Sequence, residues 1–207
     1  MRRSSRLLAC VAVGLALIGV PPASRAGTVF PLDQRYGSID FSVDHLGLFT
    51  SHGDFRRFSG TLTIDTERPE RTAIRVMIDA QSVEMDSSDG ETMVRSSDYF
   101  DVERHPVIVF ESGQVTQPSP DHYRIEGTIR IRGIVRPITL EAVLTGHPRG
   151  PSGPASEFVV DGSLKRGEFG MTADRNFVSD TVQIHVTARI ALDHVPAVPA
   201  NQPPNAG

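Results

Sequence analysis

Thr181-Val182-Gln183-Ile184-His185-Val186-Thr187-Ala188-Arg189-Ile190 alternates polar with apolar residues without a break. In an extended chain successive side chains point to opposite faces, so Val182, Ile184, Val186, Ala188 and Ile190 share one face and the polar residues the other. Seven further stretches follow the same rule, and the predicted strands run over about 36–45, 55–65, 72–82, 106–115, 122–132, 135–146, 157–165 and 180–192. Eight half-apolar strands in one chain predict an all-β fold, an eight-stranded antiparallel barrel. Such a barrel either fills its interior with side chains or holds one small ligand.

The expected inward series are Ile39, Phe41 and Val43; Leu62 and Ile64; Ile74, Val76 and Ile78; Ile125, Ile129 and Ile131; Ile138, Leu140, Ala142 and Leu144; and Phe158, Val160 and Leu164. The strand at 106–115 is apolar on both faces through Val107, Ile108, Val109 and Phe110, which predicts a cover on its outer side. A short helix near Ser88–Asp98, between the third and fourth strands, is the expected cover. Ser87, Ser88 and Asp89 offer caps there, and Met93 and Val94 an apolar side. Gly133 marks the turn between strands five and six, and Gly146 to Pro154 is an irregular Gly/Pro-rich excursion.

The first 26 residues are expected to be a cleaved signal peptide. Arg2, Arg3 and Arg6 precede an apolar run from Leu7 to Val20, and Ser24-Arg25-Ala26 supplies small residues before Gly27. A lipoprotein box around Cys10 and a twin-arginine signal at Arg2-Arg3 are weaker readings, because Cys10 precedes most of the apolar run and the arginine pair lacks the flanking residues. The barrel is expected over 27–193 and a disordered Pro/Ala/Asn tail over 194–207. No later segment is apolar enough to span a membrane. The expectation is therefore a periplasmic or secreted protein.

Cys10 is the only cysteine, so cleavage leaves neither a disulfide nor a thiolate metal site. Removing the four leader arginines leaves 17 basic against 25 acidic residues and moves the net charge from −4 to −8. That balance excludes a nucleic-acid partner and disfavours anionic lipid surfaces. The seven histidines are scattered without metal-site spacing, and no cofactor is expected. No serine-nucleophile motif is present. The carboxylate pairs Glu67/Glu70 and Asp98/Asp101 have no neighbour that would raise a pKa. Ten phenylalanines against no tryptophan suit either an ordinary core or a lined tunnel.

Five motifs in order carry a resemblance: His45-Leu46-Gly47; Phe55 with Phe58-Ser59-Gly60; Ser96-Ser97-Asp98-Tyr99-Phe100-Asp101-Val102 with Pro106; Gly127 to Pro137; and Arg166 with Phe169-Gly170-Met171 before Asp180. Together they resemble the YceI family of lipocalin-like, polyisoprenoid-binding proteins. The resemblance implies a lipocalin-like barrel around an apolar channel for an isoprenoid chain, with an isoprenoid lipid or quinone as partner. Gly90-Glu91 and Met93 stand where the family commonly has charged and histidine side chains, and Arg130 and Val135 depart from it in the strand-five turn. The lost polar groups favour a neutral head group over a diphosphate.

The leading expectation is non-covalent lipid binding without catalysis, by an internal lining of Phe41, Val43, Leu62, Ile64, Val76, Ile78, Phe110, Ile129, Leu140, Phe158 and Ile184. His45, Phe58, Phe100 and Arg166 are the candidates for the mouth. A homodimer is compatible with this reading. Two rivals stand beside it: an enzyme using His45 on a lipid head group, and a solid barrel serving as a protein-interaction module.

Overall fold

The computed structural model describes residues 27–65, 68, 71–146, 149–150 and 153–191. The expected leader and tail lie outside these residues. One antiparallel sheet contains β1 (Thr28–Asp33), β2 (Gly37–His45), β3 (Phe49–Phe55), β4 (Phe58–Ile64), β5 (Ala73–Asp79), β6 (Val83–Met85), β7 (Val107–Ser119), β8 (His122–Ile131), β9 (Ile134–Gly146), β11 (Gly153–Lys165) and β12 (Thr181–Ala191). The two-residue β10 (Arg149–Gly150) pairs only with β11. A single helix, α1 (Ser88–Arg95), separates β6 from β7.

All eight predicted strands are present, and the larger count has a geometric cause. Three barrel staves are bent. β1 pairs with β4 and β2 with β3, yet β1 runs into β2, and β3 into β4, across only a few residues. β5 and β6 likewise continue one another, β5 facing β4 and β6 facing β3. The hydrogen-bonded path β1-β4-β5-β7-β8-β9-β11-β12-β2-β3-β6 thus returns to staves it began on, and the sheet curls into a barrel.

The bend is stitched by buried Ser82. Its hydroxyl accepts from Arg57 N–H at 3.0 Å and donates to Asp79 C=O at 2.7 Å, while Arg56 N–H donates to its carbonyl. Those bonds replace the ladder where the staves kink, and the kink buries Ala80 and Val83 completely. Gly53 allows a second close approach. A Cβ there would lie 2.4 Å from the Phe41 ring and 2.6 Å from Met85 Sδ, so only glycine lets that ring lie across β3.

Helix α1 begins where expected, with Ser87 Oγ accepting from Gly90 N–H at 3.1 Å, and Asp89 and Glu91 placed at the positive end of the helix dipole. It ends at Arg95, short of the expected Asp98. It also fails to cover the outer face of β7. The helix packs on β6 at one pole of the barrel, leaving Val107, Met77 and Val135 more than two-fifths exposed. The doubly apolar strand therefore needs no cover, since isolated exposed apolar side chains on a sheet cost little.

Candidate functional site

The inward series behave unlike an ordinary core. Ile39, Phe41, Ile74, Val76, Leu140, Val160, Leu164 and Ile184 point inward and pack on the core, yet each is only partly buried. They face empty space. A lower compartment of about 280 Å³ is lined by residues of nearly every stave, among them Leu62, Ile64, Val76, Phe110, Leu140 and Phe158, with Thr72 and Tyr123 as its polar side chains. An upper compartment of about 120 Å³ lies under α1, lined by Phe41, Val43, Phe55, Met85, Val94, Phe100 and Val178, with Tyr99, Arg166 and Asp40 also on its wall. Ile39, Ile78, Ile129 and Ile184 line both compartments, so the two parts of the channel adjoin, with these four side chains at the waist between them. Together they match a small ligand site, for which roughly 300–1,000 Å³ is usual.

Thirteen of the fifteen sequence-predicted residues thus line this channel. Phe58 does not. It stands at the bend of the staves opposite Ile78 and packs against the core rather than at a mouth. His45 is also off the lining: its ring stacks on Phe49 at 4.3 Å, and Nε2 shares a hydrogen bond with Ser51 Oγ at 2.9 Å. The other ring nitrogen has no hydrogen-bond partner among the described residues.

Arg166 lies inside the wall, not at an open rim. It is 3% exposed, and its guanidinium donates to the carbonyls of Ser179 (2.9 Å), Met171 (3.0 Å) and Val178 (3.0 Å). These bonds pin the loop before β12 to the end of β11. Tyr99 lies beside it, its ring centre 5.9 Å from the Arg166 guanidinium carbon and its hydroxyl donating to Asp174 at 2.7 Å. Above these groups, Phe41, Phe55 and Phe100 form an aromatic cluster with centroids 5.5–6.1 Å apart. Sequence periodicity missed Phe55, Met85, Val94 and Tyr99 because they come from a short strand, a helix and a loop, where no period of two exists.

Burial, followed by the hydrogen bond to Asp174, pushes the Tyr99 phenol up to about 12, against a smaller lowering by Arg166. The native state therefore favours the neutral phenol. Its contribution to stability is complete below the ordinary phenol pKa near 10 and is lost as pH rises towards 12. Alkaline absorbance titration of the three tyrosines is expected to show one ionising only near pH 12, and Tyr99→Phe to remove that step. A Tyr99→Phe protein that keeps the late step would show that the assignment is wrong.

Among the described residues no group of three or more His, Cys, Asp or Glu side chains could hold a metal ion. A curled antiparallel sheet around two adjoining apolar compartments has the architecture of a lipocalin-like barrel. The chain belongs to the YceI-like domain family, which matches residues 30–190. A UPF0312 protein of Azotobacter vinelandii is 28% identical over 183 residues, covering 88% of this chain and 95% of the relative. Among solved structures, Burkholderia cenocepacia BcnA superposes with a TM-score of 0.67 at 19% identity, over 74% of this chain and 95% of that one. A polyisoprenoid-binding domain from Saccharophagus degradans, implicated in plant cell wall breakdown, gives 0.55 at 13% identity over 80% and 98%.

Proposed function

We propose that this protein binds an isoprenoid-type lipid non-covalently in its channel and carries or sequesters it in the bacterial periplasm, with no chemical step. The observation that carries this reading is the hollow interior: two adjoining compartments lined almost wholly by apolar side chains from opposing staves. A chain of C5 repeats makes no directional bonds, so an aliphatic and aromatic wall can hold it by burial alone, at about 25 cal/mol per Å² removed from water. Membership of the YceI-like family and likeness to a polyisoprenoid-binding domain support the same ligand class. The hollow interior also argues against the solid interaction module.

The polar groups of the upper compartment favour a neutral head. Three of the Arg166 donors are spent on backbone carbonyls, and the Tyr99 hydroxyl is spent on Asp174. A diphosphate needs several free donors; a quinone ring or a polyprenol needs few. Solvent extraction of the purified protein with mass spectrometry identifies what it carries. Refilling it with an isoprenoid quinone, a polyprenol and a polyprenyl diphosphate tests the head group. Uptake of the neutral lipids at least tenfold tighter than the diphosphate is expected, and refusal of all three overturns the proposal.

A further inference from the structure

An apolar tip projects beside the upper compartment. Leu46 and Leu48, in the turn from β2 to β3, and Phe49, the first residue of β3, are 64%, 80% and 60% exposed, and Phe177, in the loop before β12, is 63% exposed. The two segments are held together, because Ser179 N–H donates to Asp44 C=O at 2.8 Å. Val43, on β2 before the turn, and Val178, next to Phe177, both line the channel, so the tip is continuous with its wall.

The backbone makes the leucine notable. Leu46 takes a left-handed φ of 52°, followed by Gly47 at 70°. L side chains enter that region at a steric cost, and turns of this kind favour Asn, Asp or Gly. A leucine here neither eases the turn nor gains burial within the chain. Local rules broken without an internal gain concentrate at working surfaces.

Charge narrows the occupant. His45 to Thr50 and Asn176 to Ser179 contain no acidic, lysine or arginine residue, while Asp44, Asp174, Arg175 and Asp180 flank them, three acids to one base. Such a collar is repelled by an anionic bilayer and tolerated by a neutral one. The described chain begins with β1 and ends with β12 at the opposite pole.

We infer that this tip docks on the surface of a neutral phospholipid bilayer by shallow insertion of Leu46, Leu48, Phe49 and Phe177, bringing the upper compartment against the lipid phase. The inference rests on the lipid-binding reading of the channel, since docking is how such a ligand would be loaded or released.

The test uses the purified protein and flotation with phosphatidylcholine vesicles that contain no isoprenoid, so docking is read apart from ligand binding. Association that is insensitive to salt is expected. Leu48→Ser combined with Phe49→Ser is expected to weaken it at least tenfold, and Val29→Ser, an exposed apolar site at the far pole, to leave it unchanged. Failure of the wild-type protein to float overturns the inference, as does undiminished flotation of the double variant. Binding that requires phosphatidylglycerol and vanishes with salt also overturns it, and so does a dimer, lost in the double variant, that replaces vesicle binding. Uptake of an isoprenoid quinone from cyclodextrin is measured in parallel. Both proteins should load equally from that carrier; loss of uptake in both would refute the channel reading while leaving the flotation result intact.

Discussion

Replacing Arg166 by methionine is expected to lower the stability of the barrel by about 3–5 kcal/mol, the usual range when one partner of a buried charged arrangement is removed. The guanidinium is 3% exposed and serves three carbonyls at once, those of Met171, Val178 and Ser179. Methionine fills much of the same space but takes the donor from all three acceptors, of which the Met171 carbonyl is buried and the other two are partly so, and an acceptor left unpaired away from water costs about 1–3 kcal/mol. Lysine is no substitute. Its ammonium is a point charge on a flexible stem and cannot reproduce the planar fork that reaches three directions. Urea denaturation of Arg166→Met and Arg166→Lys checks this, and the midpoint should fall in both at an unchanged slope. A loss below about 1 kcal/mol in the methionine variant would mean that the loop before β12 can detach without harm to the barrel.

That role was not legible in the sequence. Arg166 drew notice as part of a motif, and a polar residue near a channel suggests a ligand contact. What it touches depends on a loop folding back from residues 171–179, a non-local arrangement that no periodicity encodes. Phe41, Leu62, Val76, Leu140 and Ile184 were legible, because a period of two fixes which face of a strand a side chain occupies whatever the tertiary context. β1 escaped because Pro31 interrupts Thr28–Asp33, and β3 because the series that ends on buried Phe55 runs through Ser51 and Gly53, a weak apolar pattern. The Gly53 that weakens that series is the residue whose missing Cβ admits the Phe41 ring.

Charge was legible as a total and not as a pattern. The cross-strand pairs Glu141↔Asp161, Asp161↔His185, His185↔Asp40, Asp40↔Asp54 and Asp54↔Glu84 string five carboxylates and a histidine across the outside of six strands. Like charges directly opposite one another in a sheet are unfavourable. The row is relieved by His185 bonding Asp161 at 2.8 Å and by Arg56 bridging Asp54 and Glu84. Burial pushes the Asp54 carboxyl up, Arg56 opposes this, and Glu84 and Asp40 add to the rise. Apart from Asp40, which also borders the upper compartment, these residues alternate with the channel lining, so the same period of two that hollows the barrel also gathers its acids.

Ile184→Trp separates a hollow barrel from a packed one, because the two predict opposite outcomes from one substitution. Ile184 lies on β12 between Phe41 and Gly162 and lines both compartments, so its side chain stands at the waist of the channel. In a filled core the larger ring would have no room and would cost about 1–3 kcal/mol or more. Here the ring can turn into either compartment that Ile184 borders and add contacts to a wall that lacks them, so stability is expected to change by less than about 1 kcal/mol. Lipid uptake is expected to fall at least tenfold, since a tail can no longer pass from one compartment to the other. The natural sequence has no tryptophan, so the new indole reports alone. Its emission should be blue-shifted and should not respond to added isoprenoid quinone. A large destabilisation would mean that the waist is already filled, and undiminished uptake would mean that the ligand does not thread the barrel. Either result would remove the physical basis of lipid binding in the channel, because a tail held by burial alone needs an uninterrupted apolar path.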